Sequence, residues 1–226
     1  MSKDIIEQYL QELELLRKKS IDARCDLIKQ YHYDIHKDYR ITIFEQIDRI
    51  LIYHNTNLVF FLNFMRYPQN VNSLFHTTES DSISIATDYI DRNRHSLVLF
   101  IQSVLEAYYI EICTALKLAS TKTFSNLITI LFKGLDIDQN SNWYKANIIL
   151  SKIRNTIHNN GIHRHPDETI EYRGTIHKFI KDTAHNSASY KNIIMIIYDI
   201  IEFLYYIGNK SENIDLINNK NFNDDV

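Results

Sequence analysis

An arginine and a histidine one helical turn apart are the residues of this 226-residue chain best suited to chemistry. Arg154 and His158 are separated by three residues, and the apolar residues before them recur at helical spacing. Residues four apart project from the same side of a helix. A guanidinium is permanently charged and holds phosphate oxygens in a two-pronged fork, whereas an imidazole can move a proton near neutral pH. The pair therefore predicts phosphate-ester chemistry that needs no metal.

Basic residues are concentrated around this pair. Between residues 140 and 181, seven Lys and Arg residues stand against three Asp and Glu residues, although the whole chain has a formal charge of −3. The phosphate backbone of a nucleic acid binds local basic surfaces of this kind. We expect RNA contacts from Lys152, Arg164, Arg173 and Lys178, although a solvated hairpin surface would have the same composition.

Three further polar residues could support the pair. Ser151 falls in the same narrow polar stripe when residues are placed at about 100° per position. Asn159 follows His158 at the helix end. Glu106 is one of few polar residues in an apolar run, and a mostly buried carboxylate needs a partner. That partner could be Arg154 or His158, and a plain salt bridge to Arg94 fits the pattern equally well.

The segment around the pair resembles the signature of HEPN domains. Residues 154–161 (RNTIHNNG) carry an arginine, a small polar residue, a short spacer and a histidine near a helix end. A short hairpin, a final apolar helix and an upstream helix resembling residues 94–97 and 103–106 (RHSL and SVLE) extend the likeness to about residues 85–207. The family spacing has four to six residues between arginine and histidine, whereas here there are three.

The resemblance implies an all-helical, metal-independent endoribonuclease that acts as a homodimer, often as a toxin or an antiphage effector with a regulator such as an antitoxin. Both copies of the motif would face one cleft. By this likeness Arg154 would stabilise the charged transition state, and His158 would be the general acid or base for attack of the 2′-hydroxyl. Asn155 would orient the pair.

Other interpretations of the same residues stay open. Arg and His in a last helical turn also complement the helix dipole, and Asn-Asn-Gly is an ordinary carboxyl-terminal cap. Arg49 and His54 have the usual family spacing, and Arg173 and His177 repeat the shorter one. The chain could therefore be a HEPN-like module that binds RNA, nucleotide or protein without catalysis, or a helical adaptor that acts through its first helices.

We expect no metal and no cofactor. The cluster of His158, His163, His165 and Asp167 loosely permits metal binding, but loop histidines without a cysteine or a second carboxylate are usually solvated. Two cysteines, Cys25 and Cys113, are too few for a disulfide framework. No signal peptide is expected, and the longest apolar stretch, residues 193–207, is short for a bilayer. These features predict a cytoplasmic protein with no membrane partner.

The chain contains few helix-breaking residues, since it has four glycines and two prolines. Such a composition favours long helices, and we predict an all-α protein. Gly134, Gly161 and Gly208 follow helical runs as carboxyl-terminal caps would, and Gly174 lies between two alternating runs as in a hairpin turn.

We predict an amino-terminal helical hairpin over residues 1–66 with a break near Asp38, and a polar linker over 67–84. A HEPN-like helical domain follows over 85–208, with helices at about 85–119, 124–133, 142–160 and 189–207. Its hairpin is expected at about 168–180. A frayed polar tail over 209–226 completes the prediction.

Overall fold

Helices dominate the fold, as the scarcity of glycine and proline indicates. The computed structural model describes residues 3–119, 123–185, 187–214 and 217. Within them are seven α-helices and a π-helical turn, Phe61–Met65, which continues the second helix. The helices are α1 (Lys3–Tyr31), α2 (Tyr39–Phe60), α3 (Pro68–Phe75), α4 (Glu79–Ala115), α5 (Phe124–Gly134), α6 (Asn142–His158) and α7 (Tyr190–Lys210).

Side-chain caps explain where several helices begin. Asp38 accepts the Arg40 N–H at 2.9 Å, which starts α2 and confirms the predicted break near Asp38. Ser141 and Ser189 cap α6 and α7 by accepting backbone N–H groups three residues ahead, both at 3.3 Å. These local hydrogen bonds replace partners that the first helical turn lacks.

The predicted hairpin before the last helix is confirmed. Strands β1 (Glu168–Tyr172) and β2 (Thr175–Phe179) pair antiparallel, with Glu168 opposite Phe179. Arg173 and Gly174 form the turn with φ angles of 47° and 73°, so this glycine is needed for a left-handed position. Tyr172 and Phe179 are buried, and they dock the hairpin on the bundle.

The segment expected to be a linker is instead helical. Residues 68–75 form α3, with Pro68 in its first turn, where the missing N–H of proline costs nothing. Thr78 then caps α4, which begins at Glu79 rather than near residue 85 and ends at Ala115 rather than 119. The polar composition of this segment reflects exposed helix surface rather than irregular chain.

Two glycines and the tail also differ from expectation. Gly208 lies inside α7, where a Cβ atom would come within 2.6 Å of Leu27 Cδ1 on α1, and Gly134 is the last residue of α5. Of the three glycines expected to cap helices, only Gly161 has a left-handed backbone, with φ at 85°. The expected frayed tail is partly docked, because Ile217 is buried and its carbonyl accepts the Tyr39 N–H at 2.7 Å. The rest of that tail, residues 215–216 and 218–226, lies outside the described residues.

The helix directions follow from a few contacts. Arg94 and Tyr109 of α4 lie near Tyr190 and Phe203 of α7, so α4 and α7 run parallel. Trp143, at the start of α6, contacts the ring of Tyr206, near the end of α7. The loop after α6 pairs with the loop before α7 through His163 N–H and Thr183 O at 3.0 Å. Therefore α6 runs antiparallel to both α7 and α4.

One hydrophobic cluster joins all seven helices and both strands, so α1 and α2 pack with the remainder of the chain. Two helices, α4 and α7, are long and apolar enough to cross a membrane by length and composition alone. In this fold 50% and 61% of their apolar windows are buried, as expected for core helices that pack on several neighbours.

Candidate functional site

The candidate site lies on the last two turns of α6. Ala146, Ile149, Leu150 and Ile153 form the apolar buried side of this helix, and the polar residues Asn147, Ser151 and Thr156 are buried as well. Asn160 and Gly161 both adopt left-handed backbone, and the Gly161 N–H donates to Thr156 O at 2.8 Å. This closure ends the helix at His158 and leaves the final turn at the protein surface.

Arg154 and His158 share one side of α6, as their spacing predicts. Arg154 is half-buried, and its Nη1 donates to the Asn155 side-chain oxygen at 3.4 Å. His158 is exposed. Within the described residues no carboxylate neutralises Arg154, so its positive charge stands beside an accessible imidazole.

Most of the other basic residues that were predicted to contact RNA form ion pairs within the chain. Lys152 pairs with Glu168 at 2.5 Å, and Arg164 pairs with Asp182 at 2.7 Å on the exposed surface. Arg173 was expected to contact RNA, but its guanidinium binds Asp199, whose side chain is fully buried. Lys178 is exposed on β2. Of the three arginines between residues 140 and 181, Arg154 alone lacks a carboxylate partner within the described chain.

A cavity of about 260 Å³ lies between α6, the start of α5 and the loop before β1, and neither Arg154 nor His158 is among its lining residues. Ser151, Lys152 and Asn155 line it together with His165 from that loop. The sequence linked His165 only to a metal hypothesis, because nothing local shows that the loop folds back beside α6. The cavity thus brings an imidazole, a hydroxyl and an amide together with the carboxylates of Asp167 and Glu168.

Glu106 lies on α4, and Asn159 follows the last residue of α6. Glu106 is half-buried on α4, and no ion pair joins it to Arg154, His158 or Arg94 in the part of the chain that is described. Asn159 is the carboxyl-terminal cap, with its backbone N–H donating to Asn155 O at 3.1 Å. The structure thus gives Asn159 a helix-ending position.

Burial and ion pairing distinguish the two competing Arg/His pairs from Arg154 and His158. Arg49 is exposed and pairs with Glu45 at 2.6 Å, whereas His54 is buried, and burial lowers its pKa to about 4. Arg173 is held by Asp199, and His177 is buried under the hairpin with a lowered pKa for the same reason. Neither pair presents both groups to solvent.

The loop histidines do not form a metal centre with their neighbours. His163 is buried with its Nε2 3.3 Å from Pro166 O, and burial lowers the pKa of His185 to about 4. Across residues 3–119, 123–185, 187–214 and 217, no three His, Cys, Asp or Glu side chains converge to hold a metal ion.

A larger concave surface lies elsewhere. A groove of about 1130 Å³ runs between α1 and α7, with Trp143, Tyr198, Tyr205 and Tyr206 among its lining residues. Trp143 is at the opposite end of α6 from His158, so this α1–α7 groove is distinct from the Arg154 site.

In comparisons with known proteins, no family model, no curated protein and no solved structure matches the chain. The fold and the site geometry are therefore the basis for a functional conclusion.

Proposed function

We propose that this protein is a metal-independent endoribonuclease of the HEPN type that acts as a homodimer, as a toxin or an antiphage effector. Arg154 binds the scissile phosphate, and His158 exchanges the proton. The 2′-oxygen attacks phosphorus and loses its proton, while the bond to the 5′-oxygen breaks and that oxygen gains a proton. The products are a 2′,3′-cyclic phosphate and a 5′-hydroxyl.

The observation that carries this proposal is the uncompensated charge of Arg154 beside an exposed histidine. A guanidinium already bound to a carboxylate would have to exchange that partner for a phosphate. Among the described residues Arg154 has only the Asn155 amide at 3.4 Å, so a phosphate can bind its remaining N–H groups without displacing an acid of that part of the chain. Stabilising charge as it develops in the transition state is the usual role of such a group.

The short spacing supports a shared target for both side chains. Residues four apart on a helix have Cβ atoms about 5–6 Å apart. Since α6 is helical through His158, the two side chains can reach different oxygens of one phosphate. Asn155, Ser151 and His165 line the adjacent cavity, where they could contact the ribose or the next phosphate.

The test is cleavage of RNA by purified protein in EDTA, comparing Arg154→Ala and His158→Ala with the wild type. Each variant should lose about 10²–10⁴-fold in rate, the usual contribution of one acid, base or charge-stabilising group. Arg49→Gln is the matched control, because it removes the same charge from an exposed, ion-paired position on α2, outside the site.

Retention of wild-type cleavage in both Arg154→Ala and His158→Ala would contradict the proposal. Thermal unfolding of each variant should stay within about 1 kcal/mol of the wild type, since neither side chain has a buried partner. The cyclic phosphate on the 5′ product distinguishes this chemistry from metal-dependent hydrolysis.

A second candidate function is a partner-binding module without catalysis, and the α1–α7 groove favours it. Four aromatic side chains line this groove, and aromatic residues are common at the centres of protein interfaces. Tight binding of RNA or of a protein, with no cleavage in either EDTA or magnesium, would support this function over the nuclease.

A further inference from the structure

The cavity between α6, the start of α5 and the loop before β1, here called the α6–β1 cavity, contains a hydroxyl that the protein itself does not use. Ser151 lines this cavity and is 5% exposed, and its hydroxyl forms no hydrogen bond with any described residue. By contrast, the hydroxyls of Thr129 on α5 and Thr156 on α6 donate to backbone carbonyls four residues earlier, at 3.0 and 2.9 Å. Buried polar groups normally have a partner, so the Ser151 hydroxyl indicates that water or a ligand supplies one inside the cavity.

Two carboxylates border the same cavity, and each keeps one oxygen without a partner within the described chain. Asp167 accepts the Lys181 N–H with Oδ1 at 2.8 Å, and Glu168 Oε2 binds Lys152 at 2.5 Å. Because one lysine stands against two acids in the lining, the cavity disfavours a phosphate group. An uncharged group with N–H donors fits the two remaining carboxylate oxygens better.

The volume and the other lining residues suit a single planar ring system. Pockets for drug-sized ligands measure about 300–1,000 Å³. The α6–β1 cavity, at about 260 Å³, therefore fits a smaller group. Ile148 and Pro166 supply apolar contacts, and the exposed imidazole of His165 is available for stacking. Proteins that read single-stranded RNA stack unpaired bases on such rings and bind the base edges by hydrogen bonds.

Asn155 joins the α6–β1 cavity to the proposed phosphate site. Its side chain lines the cavity, and its oxygen accepts from Arg154 Nη1 at 3.4 Å. The NH₂ group of Asn155 is left as a donor, as is the Ser151 hydroxyl. A phosphate on Arg154 and a base in the cavity can therefore belong to one stretch of RNA.

We propose that the α6–β1 cavity binds one unpaired base of the RNA next to the scissile phosphate, and that it selects guanine. Among the four RNA bases, only guanine has two neighbouring N–H groups, N1–H and the 2-amino group, for the free oxygens of Asp167 and Glu168. Its O6 and N7 atoms accept hydrogen bonds, and Ser151 and Asn155 are the matching donors. The link to cleavage rests on the proposed function, whereas binding of guanine can be measured without it.

The first test measures binding, with fluorescent RNA pentamers whose 2′-fluoro sugars lack the attacking hydroxyl. The pentamers contain uracil except for a central guanine, hypoxanthine or adenine. By fluorescence anisotropy in EDTA, the wild-type protein should bind the guanine pentamer about tenfold more tightly than the adenine pentamer, because adenine lacks the two neighbouring donors. Hypoxanthine keeps N1–H but lacks the 2-amino group, so its affinity should fall between the two. Equal affinities for all three pentamers would overturn the proposal.

The second test is the double variant Asp167→Asn/Glu168→Gln, which should lose the preference for guanine. The amides keep the size of the carboxylates, and the asparagine oxygen can still accept the Lys181 N–H. Glu171→Gln is the matched control, because Glu171 is exposed on β1, on the opposite face of the strand from Glu168, and does not line the cavity. A folded double variant that still prefers guanine would contradict the proposal, and the wild-type comparison is decisive even if the double variant fails to fold.

The two proposals fail in distinguishable ways. A protein that prefers the guanine pentamer but cleaves no RNA keeps the α6–β1 cavity as a base site and removes the nuclease. Cleavage that depends on Arg154, in a protein that binds the three pentamers equally, keeps the nuclease and removes the selection of guanine.

Discussion

At the scale of single residues, the partner of each arginine decides what that arginine can do. Three arginines lie within twenty positions of one another and differ in their partners. Arg154 has no acidic partner among the described residues, Arg164 forms an exposed ion pair with Asp182, and Arg173 binds the buried carboxylate of Asp199. The sequence predicted RNA contacts from two of them by charge alone. The partner of Arg173 is 26 residues away, and no local pattern indicates that pairing.

Arg173→Ala is therefore expected to lower stability rather than RNA affinity. Asp199 is fully buried and accepts from both Arg173 and the Tyr172 hydroxyl, the latter at 2.7 Å. Removing the guanidinium, which is 37% exposed, leaves the buried carboxylate without its counter-charge, and we expect this to cost about 1–3 kcal/mol. Urea unfolding measures the loss, and Arg164→Ala, which breaks an exposed pair, should cost less than about 1 kcal/mol. Weaker RNA binding at unchanged stability would contradict this expectation.

At the scale of elements, local signals in the sequence located most helices and the hairpin. Asp38 and the Asn-Asn-Gly segment act within a few residues, and the structure places a break at each. The start of α3 was missed because Pro68 was taken as a breaker, although proline is also favoured in a first helical turn. The exposure of Phe100 on α4 could not be predicted, since it depends on which neighbours the helix meets.

The junction of α2, α4 and α7 gives the protein a pH-sensitive element. His54 of α2 is 3% exposed, and its ring centroid lies 5.5 Å from that of Tyr190 at the start of α7. Burial disfavours the charged imidazolium and lowers the pKa of His54 from 6.5 to about 4. The unfolded chain thus binds a proton more readily, so this group favours unfolding as the pH falls from 6.5 toward 4.

His54→Gln should make the free energy of unfolding less dependent on pH. Between pH 7 and pH 5, the lowered pKa of His54 reduces the free energy of unfolding of the wild type by up to about 2 kcal/mol. The variant should not show this part of the reduction. Urea titrations at the two pH values provide the comparison. If the free energy of unfolding decreased by the same amount in both proteins, His54 would not be the source of the pH dependence.

At the scale of the whole molecule, the last described residues close over the hinge between α1 and α2. Asp38 and Arg40 form a fully buried ion pair, with their side-chain atoms 2.6 Å apart. Arg40 also donates to Ser211 O at 2.5 Å, and the Tyr33 hydroxyl donates to Gly208 O at 2.9 Å. The predicted amino-terminal hairpin is therefore held in place by the far end of the chain.

Arg40→Met should destabilise the whole fold by about 3–5 kcal/mol, because it leaves Asp38 buried without a counter-charge. The double variant Asp38→Asn/Arg40→Met should recover much of that loss, since asparagine can still cap α2 and no charge stays buried. Urea unfolding of the single and double variants tests the coupling. A double variant no more stable than Arg40→Met would show that the charge of Asp38 is not the cause.

The contacts that close over this hinge also determine when the hinge can become buried during translation. Residues 33–40 leave the ribosome long before residues 208–217, so Arg40 stays hydrated while most of the protein is still being made. The first two helices then lack the surface of α7 on which α1 packs. Burial of Arg40 against the Ser211 carbonyl therefore requires that the chain has been synthesised through residue 211.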